Sequence, residues 1–226
     1  MNMKYALAFA ATVIAAPSFG ITVNLTDFNY GPVIDVNVSG NQAYSGEAGE
    51  FKGFLGGVPG NVRQGDMNSV GGAPFTAYCT ELTQNVSFGV DYEYTQLTTL
   101  AYFGAQKAAD MSRLFTGAAG FVTNASTSGA MQAAVWEVVY EVGNSYDLNG
   151  GAFKASAANL IDAASFAGIN AILLNLASYS PTAQLSVLQS DNDQDFITPT
   201  IPEPGTWALL IAGLGVVGMV SRRRKA

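Results

Sequence analysis

Apolar and polar residues alternate with a period of two in Ile34-Asp35-Val36-Asn37-Val38 and again in Phe75-Thr76-Ala77-Tyr78-Cys79, the pattern of half-buried strands. Glycines at 46, 49, 53, 56, 57, 60, 65, 71 and 72 punctuate residues 21–94, which predicts sheet and turns there. The period then lengthens. Leu97, Leu100, Ala101, Ala108, Met111 and Leu114 recur at near-helical spacing over 95–115, and a loop follows from Gly117 to Thr127. Ser128 stands where an N-cap would, ahead of a helix to about Val142 with Met131, Ala134, Val135, Val138, Val139 and Val142 on its apolar stripe. Residues 155–178 predict one or two Ala-rich helices, Gln184 to Leu188 a final strand, and Asp191 to Asp195 a polar bend. Phe196 to Pro199 leads into the C-terminal tail. The order β, then α, then β predicts an α+β domain: a β-sandwich or barrel-like sheet with an inserted helical subdomain.

Both ends depart from this pattern. Residues 1–20 place Lys4 before an apolar run from Tyr5 to Ala16, then Pro17 and the small residues Ser18 and Gly20. This reads as a secretory signal cut before Ile21, with Ala16 and Ser18 as alternative cut points. At the other end, 207–220 is an apolar run of fourteen residues between Ile201-Pro202-Glu203-Pro204 and Ser221-Arg222-Arg223-Arg224-Lys225. As a transmembrane helix it would span about 21 Å, short of a hydrocarbon core of about 30 Å, so it inserts but anchors poorly. The arginines would hold the extreme C-terminus on the cytoplasmic side. The chain thus divides into a signal peptide at 1–20, an exported domain at 21–199 and a sorting tail at 200–226.

Charge narrows the partners. Without the two ends the domain keeps 5 basic and 16 acidic residues, a net of −11. Such a charge disfavours nucleic acid and anionic membrane surfaces as partners and favours cations and basic or neutral surfaces. The chain has no histidine, which removes Ser-His-Asp and Cys-His catalysis and every His-ligated metal site. Cys79 is the only cysteine, so no intramolecular disulfide forms, and nothing in the sequence calls for a cofactor.

The tail IPEPGTWALLIAGLGVVGMVSRRRK closely resembles the PEP-CTERM sorting signal of Gram-negative bacteria. That resemblance makes Pro202, Glu203 and Pro204 the sorting motif, and Arg222, Arg223 and Arg224 the basic stop. It implies signal peptidase and an exosortase as processing partners, transient insertion in the inner membrane, and a final place at the cell surface or in the extracellular matrix. It also implies a host that makes exopolysaccharide. The tail gives an address rather than an activity.

Two internal segments carry a second resemblance. Tyr78-Cys79 at a strand end, with Met131-Gln132-Ala133-Ala134-Val135-Trp136 at a helix start, is similar to the paired motifs of bacterial thioester domains, except that Met131 stands where those usually have Thr. The resemblance implies an internal cross-link between Cys79 and Gln132, surrounded by Tyr78 and Trp136, with Tyr140 as a further neighbour. The thiol would displace ammonia from the carboxamide, and the stored acyl group would later pass to an amine. Backbone donors in the first helical turn would polarise the carbonyl, and Glu137 or Glu141 would assist proton transfer. Closing the chain from 79 to 132 would constrain the unfolded state by about 4 kcal/mol if disulfide loop entropy transfers. The plain alternative is a buried structural cysteine beside an ordinary helical glutamine.

Other constellations are thinner. Asp191-Asn192-Asp193-Gln194-Asp195 offers oxygens suited to Ca²⁺ but lacks the glycine and distal Glu of an EF-hand, and it reads as a solvated acidic turn. Asp91 and Glu93 share a strand face, as paired carboxylates do in a glycosidase, without a visible partner across a cleft. The function expected is non-enzymatic: a surface or matrix protein of an exopolysaccharide biofilm, adhering through the thioester to surface amines or polysaccharide. The alternatives are a passive structural matrix protein and a carbohydrate-active enzyme. Peptide mapping of the exported protein is expected to find no fragment containing Arg222–Arg224. Deleting those three arginines should leave the protein mis-sorted; unchanged sorting would refute this reading of the tail.

Overall fold

The computed structural model describes residues 19–29, 31–55, 73–157 and 162–200. The signal segment to residue 18, the transmembrane run 207–220, the Pro-Glu-Pro motif and the basic stop lie outside the described residues. The strands are β1 (Phe19–Asn29), β2 (Val33–Val38), β3 (Asn41–Glu47), β4 (Glu50–Leu55), β5 (Ala73–Cys79), β6 (Asp91–Thr98), β7 (Phe153–Ala157), β8 (Leu185–Gln189) and β9 (Phe196–Pro199). The helices are α1 (Thr99–Phe103), α2 (Ala105–Gly117), α3 (Ala125–Tyr140) and α4 (Ala163–Leu174), with a 3₁₀ turn at Leu176–Ser178.

Six strands close into an antiparallel barrel in the order β1-β4-β5-β9-β8-β6, and β3-β2-β7 form a separate sheet. The architecture is α+β, barrel-like, with the helices inserted between β6 and β8, as the β-α-β order predicts. Phe196 of β9 meets Phe51 of β4 edge-on at 5.2 Å and Tyr94 of β6 at 6.1 Å. Those strands lie two places away on either side, so these rings fill the barrel interior. The neighbouring residue on β5, Tyr78, points the other way and sets its ring against Phe115 of α2 at 6.0 Å. The helices therefore cover the outside of the β5-β9-β8 wall.

Helix α3 sits between the barrel and the small sheet. Trp136 meets Tyr44 of β3 at 5.2 Å, and Tyr140 stacks on Phe153 of β7 at 6.3 Å. Every residue from Ser128 to Val138 is buried, so the helix has no solvent face there. Gly129 allows the close approach: a Cβ at that position would lie 2.4 Å from the ring of Pro32 and 2.8 Å from the carbonyl of Ala48.

Several elements differ from the sequence expectation. Thr95 to Thr98 belong to β6, paired with β8, rather than to a helix. The helical run starts only where the Thr98 hydroxyl accepts from Ala101 N, and Gly104, at φ 78°, breaks it into α1 and α2. Residues 153–157, expected partly as helix, form β7 against β2, and 196–199 form β9 rather than a lead-in to the tail. The N-cap of α3 is Asn124, not Ser128. Asn124 and Thr127 make a reciprocal capping box that starts the helix one turn earlier. Strand β1 starts at Phe19, so the expected cut before Ile21 would remove the pairings of Phe19 and Gly20 with Gln96 and Thr95, and a cut after Ser18 would keep them.

Glu137 is fully buried on α3, with one carboxylate oxygen accepting from Asp147 N at 2.7 Å and the other without a partner among the described residues. Burial, helped by the carboxylates of Glu141 and Asp147, pushes it up from 4.5 to about 8, against the Asp147 N–H that favours the charge. A raised folded-state value means the folded chain holds a proton that the unfolded chain has lost. Stability is therefore expected to fall as pH rises from 4.5 to about 8. Glu137→Gln should flatten that slope in urea unfolding series; an identical slope in the variant would refute the assignment.

Candidate functional site

The site forms where β5 outruns its neighbour. Its last pairing with β4 is Ala77 with Phe51, whereas Thr80 N still donates to Asp195 O just beyond the β9 pairing. Neighbouring residues on a strand alternate the edge they bond to, so the N–H and C=O of Cys79 face the gap left where β4 begins. The carboxamide of Gln132 fills that gap. Cys79 N donates to Gln132 Oε1 at 2.8 Å, and Gln132 Nε2 donates to Cys79 O at 2.8 Å. The side chain thus takes the place of one strand residue. Without it two buried backbone groups would lack partners.

The two residues singled out by their motifs, 53 positions apart in sequence, are therefore brought together in a buried setting. The donor to the glutamine carbonyl is the backbone of Cys79 itself. The expected donors in the first turn of α3 are too far back, because that helix starts at Ala125 and Gln132 lies two turns in. Burial pushes the Cys79 thiol well above its ordinary range, and the Glu81 carboxylate adds to this. Such a setting favours the protonated thiol over the thiolate.

Cys79 and Gln132 line a cavity of about 340 Å³. Trp136, one turn along from Gln132, is on its wall; its indole N–H has no acceptor among the described residues. Tyr78 is not on that wall: it faces the helices, its hydroxyl 3.4 Å from Glu50 Oε1. Tyr140 lies behind the strand end, its hydroxyl accepting from Leu82 N at 3.1 Å. Glu137 and Glu141 point to the 142–153 segment, where Glu141 accepts from Val142 N and Phe153 N, both at 2.9 Å. The acid whose charge acts on the thiol is Glu81, which no motif singled out. It lines the cavity and accepts from Asp195 N at 3.0 Å.

The remaining candidates serve the scaffold. Asp91 and Glu93 are exposed on the outside of the barrel, where Asn24 Nδ2 donates to Asp91 at 2.7 Å and Thr22 Oγ1 donates to Glu93 at 2.6 Å. In the acidic bend Asp195 is buried, taking hydrogen bonds from Tyr102 Oη at 2.6 Å and Ser190 N at 2.7 Å. No cluster of three or more metal-ligating side chains occurs among the described residues.

Residues 200–225 match the PEP-CTERM protein-sorting motif. The chain therefore carries a PEP-CTERM sorting signal at its C-terminus, which supports targeting by exosortase to the cell surface or the extracellular space. Neither the curated proteins nor the solved structures contain a match to the chain.

Replacing Gln132 with Met keeps the volume and removes both hydrogen bonds. Each buried group left unpaired costs about 1–3 kcal/mol. Gln132→Met is therefore expected to lose about 2–6 kcal/mol in denaturant unfolding; a loss under about 0.5 kcal/mol, ordinary for a surface change, would mean the pair does not hold β5 in place.

Proposed function

We propose that the exported domain is an adhesive component of an exopolysaccharide biofilm, joined to its target through a thioester between Cys79 and Gln132. The observation that supports this most directly is the Cys79 N–H held 2.8 Å from Gln132 Oε1. A donor on that oxygen stabilises the negative charge that builds on it when sulfur attacks the carbonyl carbon. The S–C bond forms, the C–N bond breaks, and the thiol proton leaves with the nitrogen as ammonia. An incoming primary amine then attacks the same carbon, the C–S bond breaks, and the proton given up by the amine returns to sulfur. The product is an amide on residue 132 and a free thiol. The domain acts once, as a covalent clamp, rather than as an enzyme that turns over.

A second reading is favoured by the other half of the same pair. Gln132 Nε2 donates to Cys79 O at 2.8 Å, a bond lost when ammonia departs. On this reading Gln132 is a permanent strap and the chain a passive matrix protein.

Intact mass separates the two. The thioester requires the exported protein to be lighter than its sequence by one ammonia, with Cys79→Ala and Gln132→Ala each at full sequence mass. Treatment with methylamine should add one methylamine to the wild type and expose one thiol. Full sequence mass in untreated wild type would leave only the strap.

A further inference from the structure

The cavity beside Cys79 has a chemical character of its own. On one side Phe51 stacks on Phe88 at 6.0 Å, and on another Tyr44 of β3 leans on Trp136 of α3 at 5.2 Å. Two of its lining residues are charged, and both are acids: Glu47 at the end of β3, and Glu81 two residues past Cys79. No Lys or Arg is among the described residues that line it. Burial holds Glu81 above its ordinary range, against the Asp195 N–H that favours its charge, with the Asp195 carboxylate a smaller push upward. Its partner there is a backbone N–H and not a cationic side chain. Aromatic faces attract cations through their ring quadrupoles, and carboxylates at the same opening add to that attraction. The volume, about 340 Å³, falls at the lower end of those that enclose small organic ligands.

The geometry points to this cavity as a recognition site for organic ammonium cations, with the charge against Glu47 and Glu81 and the apolar body against Tyr44, Trp136 and Phe51. Recognition is non-covalent and requires no reaction at Cys79. That a primary ammonium bound here would be the amine acylated by Gln132 rests on the thioester reading; the binding itself does not. The complementarity also fits a domain whose strong net negative charge favours cations.

Benzyltrimethylammonium is the direct probe, because its nitrogen cannot be acylated. In the exported protein carrying Trp207→Phe, Trp136 is the only tryptophan, and its emission reports occupancy. The probe is expected to quench that emission saturably, at least tenfold more tightly than neutral benzyl alcohol, a difference of about 1.4 kcal/mol. Glu47→Gln with Glu81→Gln should abolish the tenfold preference while the circular dichroism spectrum stays unchanged; the amide oxygen introduced by Glu81→Gln still accepts from Asp195 N. Equal binding of the charged and neutral probes, no saturable quenching by either, or a preference that survives both Glu→Gln changes would overturn the proposal. Full sequence mass in the untreated protein would remove the thioester and leave this titration untouched.

Discussion

Helix α3 is surrounded on all sides from Ser128 to Val138, so the polar side chains in that stretch can find partners only inside the protein. Three do so, each on a different element. Ser128 Oγ accepts from Glu50 N at 2.6 Å, at the start of β4. Gln132 pairs with the backbone of Cys79 at the end of β5. Glu137 takes the N–H of Asp147 in the segment before β7. These contacts fix the rotation and height of the helix against the barrel and the small sheet together. An apolar helix buried on every side has no amphipathic stripe to choose its own orientation. Here the polar exceptions make that choice, and the position of Gln132 opposite Cys79 follows from it.

The same pairing has two physical meanings. As structure, it satisfies two strand-end groups that β4 leaves behind. As chemistry, it places a fixed dipole on a carbonyl beside a buried cysteine. A fixed donor does not reorganise when charge appears, which is the condition under which such groups have most effect. The raised thiol fits either meaning, since a protonated sulfur is what a buried cysteine or an unreacted precursor would carry.

Much of this was legible in the residues. The alternating runs at 34–38 and 75–79 are β2 and β5, and the apolar stripe from Met131 to Val139 lies on α3, whereas Val142 falls past the helix end and is exposed. Cys79 and Gln132 could be paired because both lie in recognisable short motifs. The misreadings have local causes. Ser128 looks like a cap, but Asn124 with Thr127 satisfies more backbone donors and wins. Thr95 to Thr98 carry helix-compatible spacing, but their pairing to β8 closes the barrel, and long-range pairing overrides local period. β9 is four residues long, too short to show a period. Tyr78 seemed a neighbour of the site by adjacency, whereas consecutive strand residues face opposite ways. Glu81 and the aromatic walls converge from β1, β3, β4, α3 and the 80–88 segment, and nothing in the linear order brings those together.

One further consequence concerns length. β9 ends at Pro199, Thr200 N is bonded to Gln184 O at 2.7 Å, and the Pro-Glu-Pro tripeptide begins at residue 202. Three residues of fully extended chain reach about 10 Å. A processing enzyme that engages that tripeptide therefore meets a closed barrel almost at once, with little slack between the folded body and the cutting point. Either the catalytic groove is open enough to admit the barrel rim, or the last strand is peeled from β5 and β8 while the cut is made. The leash is short, and it bounds how far from the barrel rim that tripeptide can be engaged.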